Sequence, residues 1–153
     1  MENVQEELRR SHRTASVMGI AIIASLFFYL VVVEVLRAKM GPFRGFVQLP
    51  GIATLRYVFY GLAVVEVLST RFLQGFLIRR APGDDGRTTV LKLTRTAVVT
   101  LCLSEVPALL GLVLFLISGL NKDFYALLAV SLVLVFMYFP RFRSWEDWVE
   151  KKA

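Results

Sequence analysis

The chain has 153 residues, of which 56% are hydrophobic, and a formal net charge of +6. Soluble domains are usually about 45–50% apolar, and here the apolar residues form four long blocks, the pattern of bilayer-spanning helices. The single cysteine, Cys102, and the single histidine, His12, exclude an intramolecular disulfide, a self-contained zinc site of the usual ligand set and a bis-histidine haem.

The basic residues lie between the apolar blocks rather than in a recognition motif. In that position they determine topology and contact the anionic head groups of lipids. No nucleic-acid-binding motif accompanies them. We therefore expect the lipid bilayer, and no nucleic acid, among the partners of this protein.

The first predicted span covers residues 15–36 and follows a polar N-terminal segment, residues 1–14. Glu34 lies near the far end of this span, and Arg37 and Lys39 follow it. The spacing indicates an ion pair at the membrane interface. The glycines and prolines between residues 41 and 51 then predict a loop.

The second predicted span, residues 52–78, contains three charged residues: Arg56, Glu66 and Arg71. The long arginine side chains can reach the interfaces, but Glu66 is too short to do so. Glu66 should therefore face the interior of the bundle. There it either makes a structural contact, with Arg71 or Ser104 as possible partners, or exchanges protons.

A polar connection, residues 79–94, is predicted to separate the second and third spans. Pro82, Gly83 and Gly86 are typical of a turn. Asp84 and Asp85 could suggest a metal site, but the loop supplies no further carboxylates. We interpret the pair as a solvated turn and predict no metal site.

The third predicted span, residues 95–119, places Glu105 and Pro107 near its midpoint. Pro107 removes a backbone hydrogen bond and tends to kink a helix. The freed carbonyl, the carboxyl and the neighbouring Ser104 form a polar region that must be satisfied within hydrocarbon. Burial favours the neutral form of a carboxyl. Glu105 is therefore either an exchangeable proton site or a purely structural carboxyl, and the sequence leaves both interpretations open.

The fourth predicted span, residues 124–139, carries no charge, and Pro140 ends it. In the tail, residues 140–153, aromatic residues recur every three to four positions and include Trp145 and Trp148. This spacing is typical of a short interfacial helix whose tryptophans lie at the level of the head groups. An aromatic docking surface for a partner is the alternative.

The distribution of Lys and Arg predicts the topology. Eleven lie in the two terminal segments and in the 79–94 loop, and four lie in the other two loops. The positive-inside rule then places both termini and the 79–94 loop in the cytoplasm, in the inner membrane if the source is bacterial. The predicted fold is an all-α bundle of four transmembrane helices in a single domain.

Residues 52–119 resemble the hairpin of rotary ATP synthase c subunits. The resemblance comprises a basic loop, a carboxylate midway along the following helix, a nearby proline and the run Leu109-Leu110-Gly111-Leu112-Val113-Leu114. In that family the carboxylate carries the translocated proton or sodium ion, so the resemblance implies this role for Glu105. The chain departs from the family in lacking its glycine ladder. It also resembles small bacterial four-span membrane proteins with an E-x-P-A-L-x-G-L-V-L-F helix and an F-P-R…W-E tail.

Two functions follow from these observations. The first is a structural or accessory subunit of a membrane assembly, in a homo-oligomer or with other membrane subunits. The alternative is a proton- or cation-handling component that uses Glu105 and Glu66. We expect no enzymatic activity and no cofactor, because the sequence has no nucleophile elbow, metal-ligand cluster or phosphate-binding glycine loop.

Overall fold

A computed structural model describes residues 2–47, 51–77 and 86–142 of the chain. These residues form four α-helices: α1 (Glu2–Lys39), α2 (Ile52–Leu77), α3 (Gly86–Ser118) and α4 (Asn121–Tyr138). No strand occurs in this part of the chain. The predicted all-α fold with four helices is confirmed.

All four helices are long and apolar enough to cross a membrane. With a rise of about 1.5 Å per residue, α1 is about 57 Å long and α3 about 50 Å. Both exceed the roughly 30 Å hydrocarbon core of a bilayer. Each of the two helices is therefore longer than the hydrocarbon is thick, and their N-terminal parts pack against each other.

Helix α3 begins at Gly86, nine residues before the predicted third span, so the second half of the predicted 79–94 loop is helical. The physical reason is an apolar cluster between the first turns of α3 and the N-terminal part of α1. The polar residues of this segment had indicated a loop instead. Its buried members are Leu8, Ala15, Val90, Leu93 and Ala97. Residues 79–85, including the Asp84–Asp85 turn, lie outside the described residues.

Helix α3 occupies the centre of the bundle. It packs against α1, α2 and most extensively α4, whereas α2 packs principally on α3. The main core lies between α1, α3 and α4, and its fully buried large side chains include Phe115, Phe124, Leu26, Leu101 and Val33. The molecule is therefore a three-helix core with α2 attached to one side of it.

The loop after α1 closes one end of the bundle, which we call the loop end (residues 34–47, 56–60 and 117–125). Phe46 N donates to Leu116 O at 2.8 Å, which ties the loop to the end of α3. Gly45 has a φ of +85°, and a Cβ there would lie 2.1 Å from Ile117 O. Only glycine fits this approach of loop to helix.

The opposite end, which we call the terminal end, brings together the N-terminal part of α1 and the residues that follow α4. The His12 Nε2 atom lies 3.0 Å from Pro140 O, and the His12 and Phe142 rings meet edge to face at 5.2 Å. Both ends of the described chain therefore lie at the same end of the bundle. Trp145, Trp148 and the predicted interfacial helix lie outside the described residues.

Candidate functional site

Glu105 is bonded by two hydroxyl groups of α1. Tyr29 OH donates to Glu105 Oε1 at 2.5 Å, and Ser25 Oγ donates to the same oxygen. Ser25 and Tyr29 are four residues apart, so they lie on the same face of α1. Glu105, which the sequence indicated as a polar site within the third span, thus forms a polar bridge between α3 and α1.

Ser25 and Tyr29 were not among the site residues predicted from the sequence. The available signal was a pair of hydroxyl side chains at helical spacing inside an otherwise apolar span. In hydrocarbon, hydroxyl side chains bond either to their own backbone or to a neighbouring helix. Ser25 bonds the neighbouring helix, and its Oγ also lies 3.0 Å from Ile22 O of its own helix.

Pro107 is fully buried inside α3, which runs without interruption from Gly86 to Ser118. One residue beyond it, Ala108 N donates to Ser131 Oγ of α4 at 2.8 Å. A proline in a helix disturbs the backbone ladder, and side chains of neighbouring helices re-satisfy the freed groups. Ser131, which was not predicted from the sequence, thus links α4 to the backbone of α3 next to the proline.

Glu66 lies on the side of α2 that carries its two buried residues, Ala63 and Thr70. Thr70 Oγ1 donates to Glu66 Oε1 at 2.7 Å, and Glu66 Oε2 is buried without a hydrogen-bond partner. The carboxyl therefore faces the bundle, as predicted, but only half of it is satisfied.

The predicted partners of Glu66 are corrected by the structure. Arg71 is exposed, because five residues along a helix rotate its side chain by about 140° from that of Glu66. Ser104 is buried but donates to Thr100 O of its own helix at 2.7 Å. Among the described residues, Glu66 and Glu105 share no hydrogen bond: Thr70 bonds one and α1 bonds the other.

Glu34 and Arg37 form the predicted ion pair, at the loop end of the bundle, with 2.9 Å between Arg37 Nη1 and Glu34 Oε1. Tyr125 of α4 joins them: Arg37 Nη1 donates to its hydroxyl at 2.9 Å, and that hydroxyl donates to Glu34 Oε1. Lys39 is exposed. The pairing with Arg37 is confirmed, and it also links α1 to the start of α4.

Asp123 is the most buried carboxylate of the loop end, with 3% of its surface exposed. Arg56 Nη2 lies 2.7 Å from Asp123 Oδ1, and Tyr60 OH donates to the same oxygen at 2.8 Å. This cluster was not predicted from the sequence. The signal was an arginine in the first turns of the second span and an aspartate at the start of the fourth, at the same membrane level.

A cavity of about 430 Å³ opens at the loop end between the end of α1 and the start of α4. Its charged lining consists of Glu34 and Arg37, which are already bonded to each other. Among the residues that the structure describes, no group of three or more His, Cys, Asp or Glu could hold a metal ion.

No family model, no curated protein and no solved structure matches this chain.

Proposed function

We propose that the protein is a structural or accessory subunit of a membrane assembly and that α2 is the helix that docks against its partner. The observation that carries this proposal is the exposure of α2. Of its 26 residues only Ala63 and Thr70 are buried. Large apolar side chains are exposed on it: 78% of the surface of Phe72 and 63% of that of Leu68 are accessible. The helix thus offers a long uncovered face to lipid or to another membrane helix.

The composition of that face supports a protein partner rather than lipid alone. Gly61 and Gly75 face open space, since a Cβ at either position would have no atom within 4 Å of it. The polar residues Ser69 and Arg71 are exposed on the same helix. Small residues allow close approach of membrane helices, and polar side chains bond across such interfaces. A helix surrounded only by lipid would gain nothing from either.

Photo-crosslinking in native membranes tests the proposal. A photoreactive residue replaces Phe72 on α2 in one variant and Phe136 on α4 in the control, because both positions are widely exposed. We expect a protein adduct of defined mass from position 72 and mainly lipid adducts from position 136. Equal protein crosslinking from both helices, or none from α2, would contradict the proposal.

We also propose an orientation for the bundle, with the terminal end in the cytoplasm, of the inner membrane if the source is bacterial. The support is the set of exposed arginines at that end: Arg9, Arg10, Arg13, Arg95 and Arg141. Cytoplasmic flanks of membrane spans carry an excess of basic residues. A membrane-impermeant thiol reagent should label a cysteine at position 9 only after the membrane is opened, in a Cys102→Ser background.

A second candidate function is proton or cation handling by a mid-membrane carboxyl. The observation that favours it is the buried oxygen of Glu66 that has no partner, together with the placement of both hydrogen bonds to Glu105 on one oxygen. The resemblance to the c-subunit hairpin supports it as well. Proton flux into proteoliposomes should be lost in the Glu66→Gln/Glu105→Gln double variant, and unchanged flux would remove this candidate.

A further inference from the structure

Glu66 Oε2 is the one buried side-chain oxygen or nitrogen without a hydrogen-bond partner in the described parts of the chain. It belongs to a helix long and apolar enough to cross the membrane. A charged carboxylate in such surroundings needs a cation or several donors, because burying a charge costs far more than burying a neutral polar group. Glu66 has one donor, Thr70.

We propose that Glu66 is a proton-binding carboxyl that is neutral in the resting bundle, and that Glu105 is a structural carboxyl. This inference rests on the second candidate function, because it names the group that would bind the transported or sensed proton. It reverses the order of importance that the sequence indicates, in which Glu105 comes first. Binding of one proton converts the carboxylate to the acid and requires no other reactant.

Among the described residues, no cation forms an ion pair with Glu66. On α2 itself, Arg56 is bonded to Asp123, and Arg71 is exposed on another side of the helix. A proton on Oε2 removes the charge that these groups do not neutralise. The neutral acid costs far less to bury than the carboxylate, and Thr70 supplies a hydrogen bond to Oε1.

The helix packed against α2 forms no ion pair with Glu66 in the described part of the chain: its cations Lys92 and Arg95 lie in the first three turns of α3, where Arg95 is exposed. In the apolar part of α3 the ionisable side chains are Cys102, which is exposed, and Glu105. Both hydroxyl groups that bond Glu105 come from α1. Glu105 is therefore held in place by two donors, whereas Glu66 has the smaller set of contacts and can gain or lose a proton without breaking a link between helices.

Labelling with a hydrophobic carbodiimide tests the assignment on the full chain in lipid nanodiscs. The acid proton transfers to a carbodiimide nitrogen, the carboxyl oxygen adds to the central carbon, and rearrangement leaves an adduct with the mass of the whole reagent. Peptide mass spectrometry then locates it. We expect the adduct on Glu66, with a yield that falls about tenfold per pH unit above the point at which Glu66 titrates.

Three variants serve as controls. Glu66→Gln should abolish the pH-dependent adduct, and Glu105→Gln should retain it in full. Thr70→Ala keeps the carboxyl but removes its donor, and it should leave Glu66 reactive with a shifted pH profile. A purely structural Glu66 would show no such shift. Labelling of Glu105 instead of Glu66, or no labelling of either at any pH, overturns the assignment.

Proton flux separates this inference from the function on which it rests. Flux that depends on Glu105, with an unreactive Glu66, would overturn the assignment and leave proton handling intact. A reactive, pH-dependent Glu66 combined with unchanged flux in Glu66→Gln would uphold the proton site and remove proton handling.

Discussion

Helices α3 and α2 are neighbours of similar character in the sequence, yet they have different structural roles. In the most apolar window of α3, 44% of the residues are buried, against 6% in α2. Helix α3 is enclosed by three helices, while α2 contacts principally one. Apolar composition alone therefore does not tell a central membrane helix from a peripheral one.

The contacts that hold the two helices differ as well. The α3–α4 seam is close-packed, with Gly111 against Leu127 and Phe124. The attachment of α2 includes the polar cluster at the loop end, in which Arg56 and Tyr60 reach Asp123 of α4. Since lipid is as apolar as these helices, close packing and polar contacts rather than hydrophobic burial must hold them. We therefore expect the α3–α4 contact to be rigid and the position of α2 to be easier to change.

The largest expected effect is that of filling the α3–α4 seam. A Cβ on Gly111 would lie 3.0 Å from Leu127 Cβ and 3.3 Å from Phe124 O, so Gly111→Leu forces the helices apart. We expect a loss of about 3 kcal/mol in the free energy of unfolding, the upper part of the usual range for overpacking. Thermal unfolding in nanodiscs measures it.

Gly61→Leu on α2 is the matched control. Nothing lies within 4 Å of a Cβ at this position, and leucine favours helix over glycine by roughly 0.5–1 kcal/mol. The variant should unfold at the wild-type temperature or slightly above it. It should also weaken any docking of α2 to a partner. Equal losses from Gly111→Leu and Gly61→Leu would refute the distinction between a packed and an open helix.

The next effect concerns the attachment of α2. Asp123→Ala removes a buried carboxylate that accepts from Tyr60 and pairs with Arg56, and it leaves the Tyr60 hydroxyl without its partner. We expect a loss of about 2 kcal/mol, with faster amide hydrogen exchange in α2 than in α3. Lys122→Ala, at the exposed neighbouring position, should change neither. Uniformly faster exchange in all helices would mean that Asp123 holds the whole bundle rather than α2.

The sequence predicted the number of helices, and it placed the ends of α2 and α4 within three residues, because long apolar blocks have few alternatives. It also identified Glu105, Glu66 and the Glu34–Arg37 pair, because charges are rare in such blocks. It did not predict that Ser25 and Tyr29 bond Glu105 or that Asp123 bonds Arg56. These partners are joined by tertiary packing across sequence separations of 63 residues or more, and no local pattern encodes which faces meet.

A smaller effect is expected from the polar bridge between α1 and α3. The Ser25→Ala/Tyr29→Phe double variant removes both donors to Glu105. Interhelical hydrogen bonds in membranes are worth about 0.6 kcal/mol on average and at most roughly 1.7, so we expect a loss of about 1.5 kcal/mol. If Glu105 is structural, the loss should nearly vanish when the pair is removed in a Glu105→Leu background.

Ser104→Ala is the control for that bridge, because its hydroxyl bonds only Thr100 O within α3. It should leave the stability of the bundle almost unchanged. A loss from Ser104→Ala as large as that from the double variant would show that any polar group in the centre of α3 matters equally. The bridge to α1 would then have no special role.

The smallest expected effect is at the proline break. Ser131→Ala removes the acceptor for Ala108 N, and we expect a loss of about 1 kcal/mol for the buried N–H. Ser118→Ala is the control, since that buried hydroxyl bonds Leu114 O of its own helix. In a Pro107→Ala background the helix regains its regular ladder, so Ser131→Ala should then cost less. A double-mutant cycle measures this coupling. Additive losses would mean that Ser131 packs against α3 without serving the break, and Pro107 would then require another partner for the groups it frees.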